Sequence, residues 1–78
     1  MIKIKRRSLP WQIGDKVIIN RECRGPVVCG DIGIIIGYAK NSNGKDIYNI
    51  EFDLAIGPYQ DFFHPRLFTS YEEILRTL

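Results

Sequence analysis

The chain has 78 residues, of which 45% are hydrophobic and 26% charged, a composition that predicts one small globular domain rather than a disordered segment. No stretch approaches the roughly 20 consecutive apolar residues of a membrane-spanning helix, and no apolar stretch follows the basic start as it would in a secretion signal. We therefore expect neither a membrane anchor nor secretion, and take a cytoplasmic location as the default.

The charge is unevenly distributed along the chain, although the net charge is only +2. Residues 1–24 carry seven lysines and arginines against two acidic residues, whereas residues 25–78 carry four against seven. This asymmetry predicts a basic segment that meets an anionic partner, or one that neutralises the acidic part of the same domain. We assign residues 1–10 to a basic N-terminal arm and residues 11–78 to the domain proper.

The first two predicted strands follow turn signals. Gly14 and Asp15 precede the β-branched run 16–19, in which Val17 and Ile19 share a face. The second strand covers residues 30–38, and two of its glycines would allow a sharp bend or the close approach of another backbone. Its predicted faces are Ile32, Ile34, Ile36 and Tyr38 on one side, and Gly33, Ile35 and Gly37 on the other.

A β-hairpin is predicted around Asn43 and Gly44, which lie between two alternating runs. Both residue types tolerate the positive φ of a type I′ turn, so this turn is expected. The returning strand, 46–53, has the most regular alternation in the chain. Its inward-facing side chains are predicted to be Tyr48, Ile50 and Phe52.

The C-terminal third predicts a turn at 57–58, a strand over 59–63 and a helix over 70–78. Ser70 and Glu73 have the spacing of a capping box at the start of that helix. Its apolar stripe comprises Tyr71, Ile74, Leu75 and Leu78. Short strands followed by one short helix predict a mostly β fold: a single small barrel of about five strands, with the helix packed on one end.

Three segments carry a family resemblance. They are Gly-Asp-Lys-Val at 14–17, Gly-Asp-Ile-Gly-Ile-Ile at 30–35 and Tyr-Asn-Ile-Glu-Phe-Asp at 48–53. Together they resemble the SH3-like barrel superfamily over about residues 11–68, and the first two resemble the KOW motif of ribosomal proteins and transcription elongation factors. Where that motif tends to carry lysines, this chain has Asp31, Ile32 and Ile34, so the resemblance implies an SH3-like fold and not a function.

No catalytic, metal or cofactor site is predicted. The only histidine, His64, lies at a strand end, and a dyad with Cys23 or Cys29 has no flanking pattern behind it, so we interpret the histidine as a structural or surface residue. The two cysteines lack Cys-x-x-Cys spacing, and zinc would need two further ligands. We interpret both cysteines as ordinary small, partly buried side chains.

The preferred functional hypothesis is a small adaptor, inhibitor or subunit that binds a protein partner through loop and aromatic side chains. The candidate residues are Tyr59, Phe62, Phe63, Arg21 and Arg24. The competing interpretation is that at least two of the aromatic rings at 59, 62, 63 and 68 belong to the core. The small size also suits a phage protein that acts on a host machine.

The alternative hypothesis is binding to nucleic acid or a nucleoprotein machine through the basic arm, with one aromatic ring as a stacking platform. The candidate residues are Lys3, Lys5, Arg6, Arg7 and Trp11. The competing interpretation of Trp11 is that it covers one end of the core. The small net charge and the scattered aspartates favour a protein partner, and we expect a monomer or a weak homo-oligomer.

Overall fold

A computed structural model describes residues 11–21 and 25–76, and the structural statements below concern these residues. They form an antiparallel sheet followed by a short helix, so the predicted mostly β fold is confirmed. The elements are β1 (Lys16–Ile19), β2 (Ile32–Lys40), β3 (Asp46–Leu54), β4 (Gly57–Phe63), a 3₁₀ helix (Pro65–Leu67), β5 (Phe68–Ser70) and α1 (Tyr71–Arg76). The predicted arm, residues 1–10, lies outside the described residues.

The strand order is β4-β3-β2-β1-β5, so the first four strands follow one another and the fifth returns beside the first. Every paired neighbour is antiparallel. Within the described residues no ladder joins β4 to β5. The sheet therefore curls around one core but stays open between its two edge strands.

One hydrophobic core lies on the inner face of this sheet. Its buried side chains are Val17, Ile19, Val27, Ile35, Tyr48, Ile50, Phe52, Phe63 and Phe68. Among them, only Val27 comes from a loop. The backbone of that loop is tied to β1, because Gly30 N–H donates to the Ile19 carbonyl at 2.8 Å and Ile19 N–H donates to the Asp31 carbonyl at 2.9 Å. The loop thus places an apolar side chain over the core.

A β-bulge in β2 changes which side chains face the core. Before the bulge Ile35 pairs with the buried Ile50, and beyond it Tyr38 pairs with the buried Tyr48. Because the register shifts between Ile35 and Gly37, odd-numbered side chains face inward before the bulge and even-numbered ones after it. The prediction that Ile32, Ile34, Ile36 and Tyr38 share one face is therefore wrong, as is the shared face of Gly33 and Gly37.

Gly33 is required by the close packing of β3 against β2. A Cβ atom at this position would lie 2.5 Å from Ile50 Cγ2 and 2.9 Å from both the Glu51 carbonyl oxygen and Phe52 Cε2. Real side chains do not tolerate such distances, so the predicted close approach is confirmed here. At Gly37 a Cβ would meet only the Asn49 Cβ atom, at 3.8 Å.

The β2–β3 hairpin forms where predicted but with a different turn. Gly44 has φ +78°, whereas no non-glycine residue in the described part of the chain has a positive φ, so the type I′ prediction is wrong. Asn41 N–H donates to the Lys45 carbonyl and Gly44 N–H to the Asn41 carbonyl, each at 2.9 Å, which makes a three-residue loop. The Asn41 side-chain oxygen also accepts bonds from the N–H groups of Asn43 and Lys45, and it holds the loop without a second left-handed residue.

β4 forms one edge of the sheet, and two of its outward backbone N–H positions are blocked. Its first residue, Gly57, already pairs with Leu54, so the turn predicted at 57–58 lies two residues earlier. Pro58 has no N–H, and Phe62 N–H donates to its neighbour Asp61 Oδ1 at 2.8 Å. In the antiparallel ladder, the backbone groups of residues 58 and 62 both point away from β3, toward the open side of β4. This edge therefore offers few groups to another strand.

The C-terminal helix starts as predicted. Glu73 N–H donates to Ser70 Oγ at 3.3 Å, so Ser70 caps the helix. Tyr71 is half-buried, and the Lys16 ammonium nitrogen lies 4.7 Å from the centroid of its ring. Ile74 is half-buried and Leu75 is exposed, so the described helix packs against β1 and β5 without a fully buried side chain.

Candidate functional site

The outer face of the sheet carries an apolar stripe that does not contribute to the core. Ile18 pairs with Ile32 across β1 and β2, and Lys16 pairs with Ile34. Ile32 is 42% exposed and Ile34 is 36% exposed, while Ile18 is half-buried. Single exposed apolar residues are ordinary, but a contiguous stripe in the middle of a sheet is typical of a contact surface.

The stripe forms the floor of a shallow groove of about 420 Å³. Ile32 and Ile34 supply the apolar floor, Lys16 borders it on the β1 side, and Glu51 and Asp53 border it on the β3 side. The groove therefore has an apolar centre, one basic flank and one acidic flank. We call it the outer groove.

The strand register fixes the order of charges across the outer groove. Lys16 stands opposite Ile34, and Ile34 stands opposite Glu51, so the three form one row across β1, β2 and β3. Because adjacent strands are about 4.8 Å apart, the two charged positions are separated by about 10 Å. In the described part of the chain the ion pair found joins Lys40 to Asp46, at 2.6 Å. Lys16 and Glu51 thus flank the groove without pairing with each other.

The predicted aromatic cluster is divided between the two faces of β4. Phe62 is 46% exposed, whereas Phe63 is only 5% exposed and belongs to the core. Adjacent strand residues point to opposite faces, so Phe63 is a wrong candidate for partner contact. Phe68 is also buried, and the interpretation that at least two of the four rings are core is confirmed.

The remaining predicted protein-binding residues do not form one site with Phe62. Tyr59 lies on the inner side of β4, half-buried, and its hydroxyl donates to Asp61 Oδ2 at 3.1 Å. A Cβ at Gly25 would lie 3.2 Å from that hydroxyl, so the Tyr59 ring packs against the loop after β1. Arg21 is exposed, and Arg24 lies outside the described residues.

The predicted nucleic-acid site receives little support from the described residues. Trp11 is half-buried, with its ring centroid 5.1 Å from that of Phe68, an arrangement in which it covers one end of the core. The described residues include six lysines and arginines and eight acidic residues, a net charge of −2. The positive surplus comes from outside them, where Lys3, Lys5, Arg6 and Arg7 lie.

His64 has a structural role. Its Nδ1 atom accepts a hydrogen bond from Arg66 N–H at 3.3 Å and caps the 3₁₀ helix. In the described ranges no three His, Cys, Asp or Glu side chains are grouped closely enough to hold a metal ion. Nor does any helix described here have the length and hydrophobicity to cross a bilayer.

Cys29 is exposed with a free thiol, so the prediction of a partly buried side chain is wrong for this cysteine. It lies in a turn where Asp31 N–H donates to the Val28 carbonyl at 3.0 Å and Asp31 Oδ2 accepts from Val28 N–H at 2.9 Å. That turn follows the buried Val27 and projects from the body of the fold. Cys23 lies outside the described residues.

The two residues at the centre of the outer groove, Ile32 and Ile34, were not predicted as site residues. The strand has isoleucines on both faces, so its alternation alone does not show which face is inward. Gly33 could have indicated which face is inward, because a glycine beside bulky residues on the paired strand marks the tightly packed face. Comparison of the chain with protein-family models, curated proteins and solved structures gave no match.

Proposed function

We propose that this chain is a non-enzymatic protein-binding module that docks its partner in the outer groove. One observation carries the proposal: Ile32 and Ile34 form a contiguous exposed apolar floor on the face of the sheet opposite the core. Burial of apolar surface stabilises by about 25 cal/mol per Å², so a partner that covers this floor gains free energy. The return of β5 beside β1 supports the proposed SH3-like barrel.

The charged flanks define the chemistry of the partner. A fitting surface presents apolar side chains to Ile32 and Ile34, a basic group to Glu51 and an acidic group to Lys16. Charge complementarity of this kind selects the partner and its orientation. Nucleic acid is a poorer fit, because the carboxylates at the groove and the net charge of −2 over the described residues repel phosphate.

The test is affinity capture of partners by the tagged chain from a nuclease-treated lysate that also contains the untagged chain. We compare wild type with Ile34→Gln, which places a polar group on the groove floor. The matched control is Ile56→Gln, since Ile56 is 76% exposed in the β3–β4 turn, away from the groove. Mass spectrometry identifies whatever is retained.

We expect a discrete protein that wild type and Ile56→Gln retain equally and Ile34→Gln loses at least tenfold. Equal retention by all three chains would contradict the proposal. Retention that depends on nucleic acid, abolished by nuclease and by raised salt, would favour the alternative hypothesis instead.

A further inference from the structure

One row of the outer groove has flanking charges that make the row complementary to itself. In the row Lys16–Ile34–Glu51, a positive and a negative charge stand at equal distances on either side of an apolar centre. A surface with this pattern matches its own copy when rotation exchanges the two charged sides. An interface of that kind, in which the same patch serves both molecules, is the commonest in homodimers.

We infer that the outer groove binds the outer groove of a second copy of this chain, an inference that rests on the proposed function and names its partner. The two sheets pack face to face, about 10 Å apart, around a two-fold axis that runs along β2 and lies between them. Ile34 then meets Ile34 of the second copy. Lys16 of each copy faces Glu51 of the other, so two equivalent ion pairs form when each Lys16 ammonium group moves from the Tyr71 ring to the facing carboxylate.

The charge order also selects the direction of that axis. A two-fold axis perpendicular to the strands would place Lys16 opposite Lys16 and Glu51 opposite Glu51. Like charges in such positions repel, whereas the axis along β2 pairs Lys16 with Glu51. Asp53, the second carboxylate on the β3 side, meets no basic group in this arrangement. The row Lys16–Ile34–Glu51 therefore favours the axis along β2 over the axis perpendicular to the strands.

The size of the face indicates a weak dimer. Four strands by about five residues cover roughly 19 by 17 Å, well below the roughly 800 Å² per molecule of a standard protein interface. The dimer is thus expected at high protein concentration and is expected to weaken as salt screens the exposed pairs. Its apolar centre retains part of the affinity at high salt.

Charge reversal tests the inference. Dimerisation is measured by sedimentation equilibrium from roughly 10 μM to 1 mM protein. Lys16→Glu alone and Glu51→Lys alone each create two repulsive contacts, so each variant is expected to dimerise at least about tenfold more weakly than wild type. An equimolar mixture of the two variants restores both attractive contacts and is expected to form a heterodimer of nearly wild-type affinity. Both residues are exposed, and circular dichroism verifies that the variants fold.

The matched control mixes Lys45→Glu with Glu73→Lys, two exposed positions on the hairpin loop and on α1, and no effect on dimerisation is expected there. A wild-type chain that stays monomeric to 1 mM, or a dimer that charge reversal and mixing leave unchanged, would overturn the inference. If the wild-type chain is monomeric but still captures a different protein through Ile34, the groove is the binding site for that protein. The inference then fails while the proposed function stands.

Discussion

Isoleucines on the two faces of β2 differ in burial. Ile35 points inward, is completely buried and belongs to the core, whereas Ile34, the residue before it, points outward and remains partly exposed. The inner face is closed by side chains from all five strands and from the loop residue Val27. The outer face has no covering element in the described part of the chain. Hydrophobicity alone therefore does not decide whether a side chain is buried, because the packing around it decides that.

The largest expected effect tests this contrast directly. Ile35→Ala removes a fully buried side chain and leaves a cavity, so we expect the free energy of unfolding to fall by about 2–5 kcal/mol. Urea denaturation followed by circular dichroism measures the change. Similar losses from Ile35→Ala and Ile34→Ala would show that the two faces contribute equally to stability, against the contrast drawn here.

Gly33→Ala is expected to be the next most damaging change. Its Cβ would overlap the Ile50 side chain, the Glu51 carbonyl and the Phe52 ring, and overpacking of this kind costs about 1–3 kcal/mol. The control is Gly37→Ala, where the new Cβ has room. Thermal unfolding should show a clearly lower Tm for the first variant only, and an equal decrease in both would refute the close approach.

Val27 and Val28 provide a matched pair in the loop that covers the core. Val27 is completely buried and Val28 is 59% exposed. Val27→Ala is expected to lower the free energy of unfolding by about 2 kcal/mol, because it removes buried methyl groups, and Val28→Ala by less than about 0.5 kcal/mol. Equal denaturation midpoints would mean that the loop does not help to close the core.

Among the four test variants other than the matched controls, Ile34→Ala is expected to lower the free energy of unfolding least, by less than about 1 kcal/mol, because the side chain is partly solvated and the change acts mainly through strand propensity. The same variant should reduce binding in the outer groove, since Ile34 lies at its centre. Denaturation and sedimentation equilibrium on one preparation measure the two properties. A large loss of stability would place Ile34 among the structural residues and weaken its proposed role.

Local patterns predicted the fold well where the chain is regular. In β3 the alternation of Tyr48, Ile50 and Phe52 continues without interruption, and all three are buried as expected. Ser70 caps its helix as its spacing indicates, because capping depends only on residues within one turn. In such segments the local sequence contains all the information required.

The facing of side chains in β2 and β4 and the position of the outer groove could not be predicted from local sequence, because they depend on distant residues. The bulge at Ile36 reverses the facing of β2, and a period of two contains no sign of an inserted residue. Phe62 and Phe63 were correctly placed on a strand, but which of them is buried depends on the opposing side of the core. The outer groove was not predicted, because its charges come from β1 and β3 and meet only through the strand register.

The partly blocked edge of β4 disfavours one route to larger assemblies. Pro58 and the occupied N–H of Phe62 leave this edge with few donors for a further strand, and the proposed two-fold contact between outer grooves would cover the apolar face of both molecules. Growth into ribbons through the β4 edge is therefore disfavoured. In concentrated solutions of the chain, the mean particle mass should therefore reach a plateau, and the solution should remain clear and fluid. Pro58 and Asp61 contribute to this behaviour, because they reduce the hydrogen-bond donors at the β4 edge.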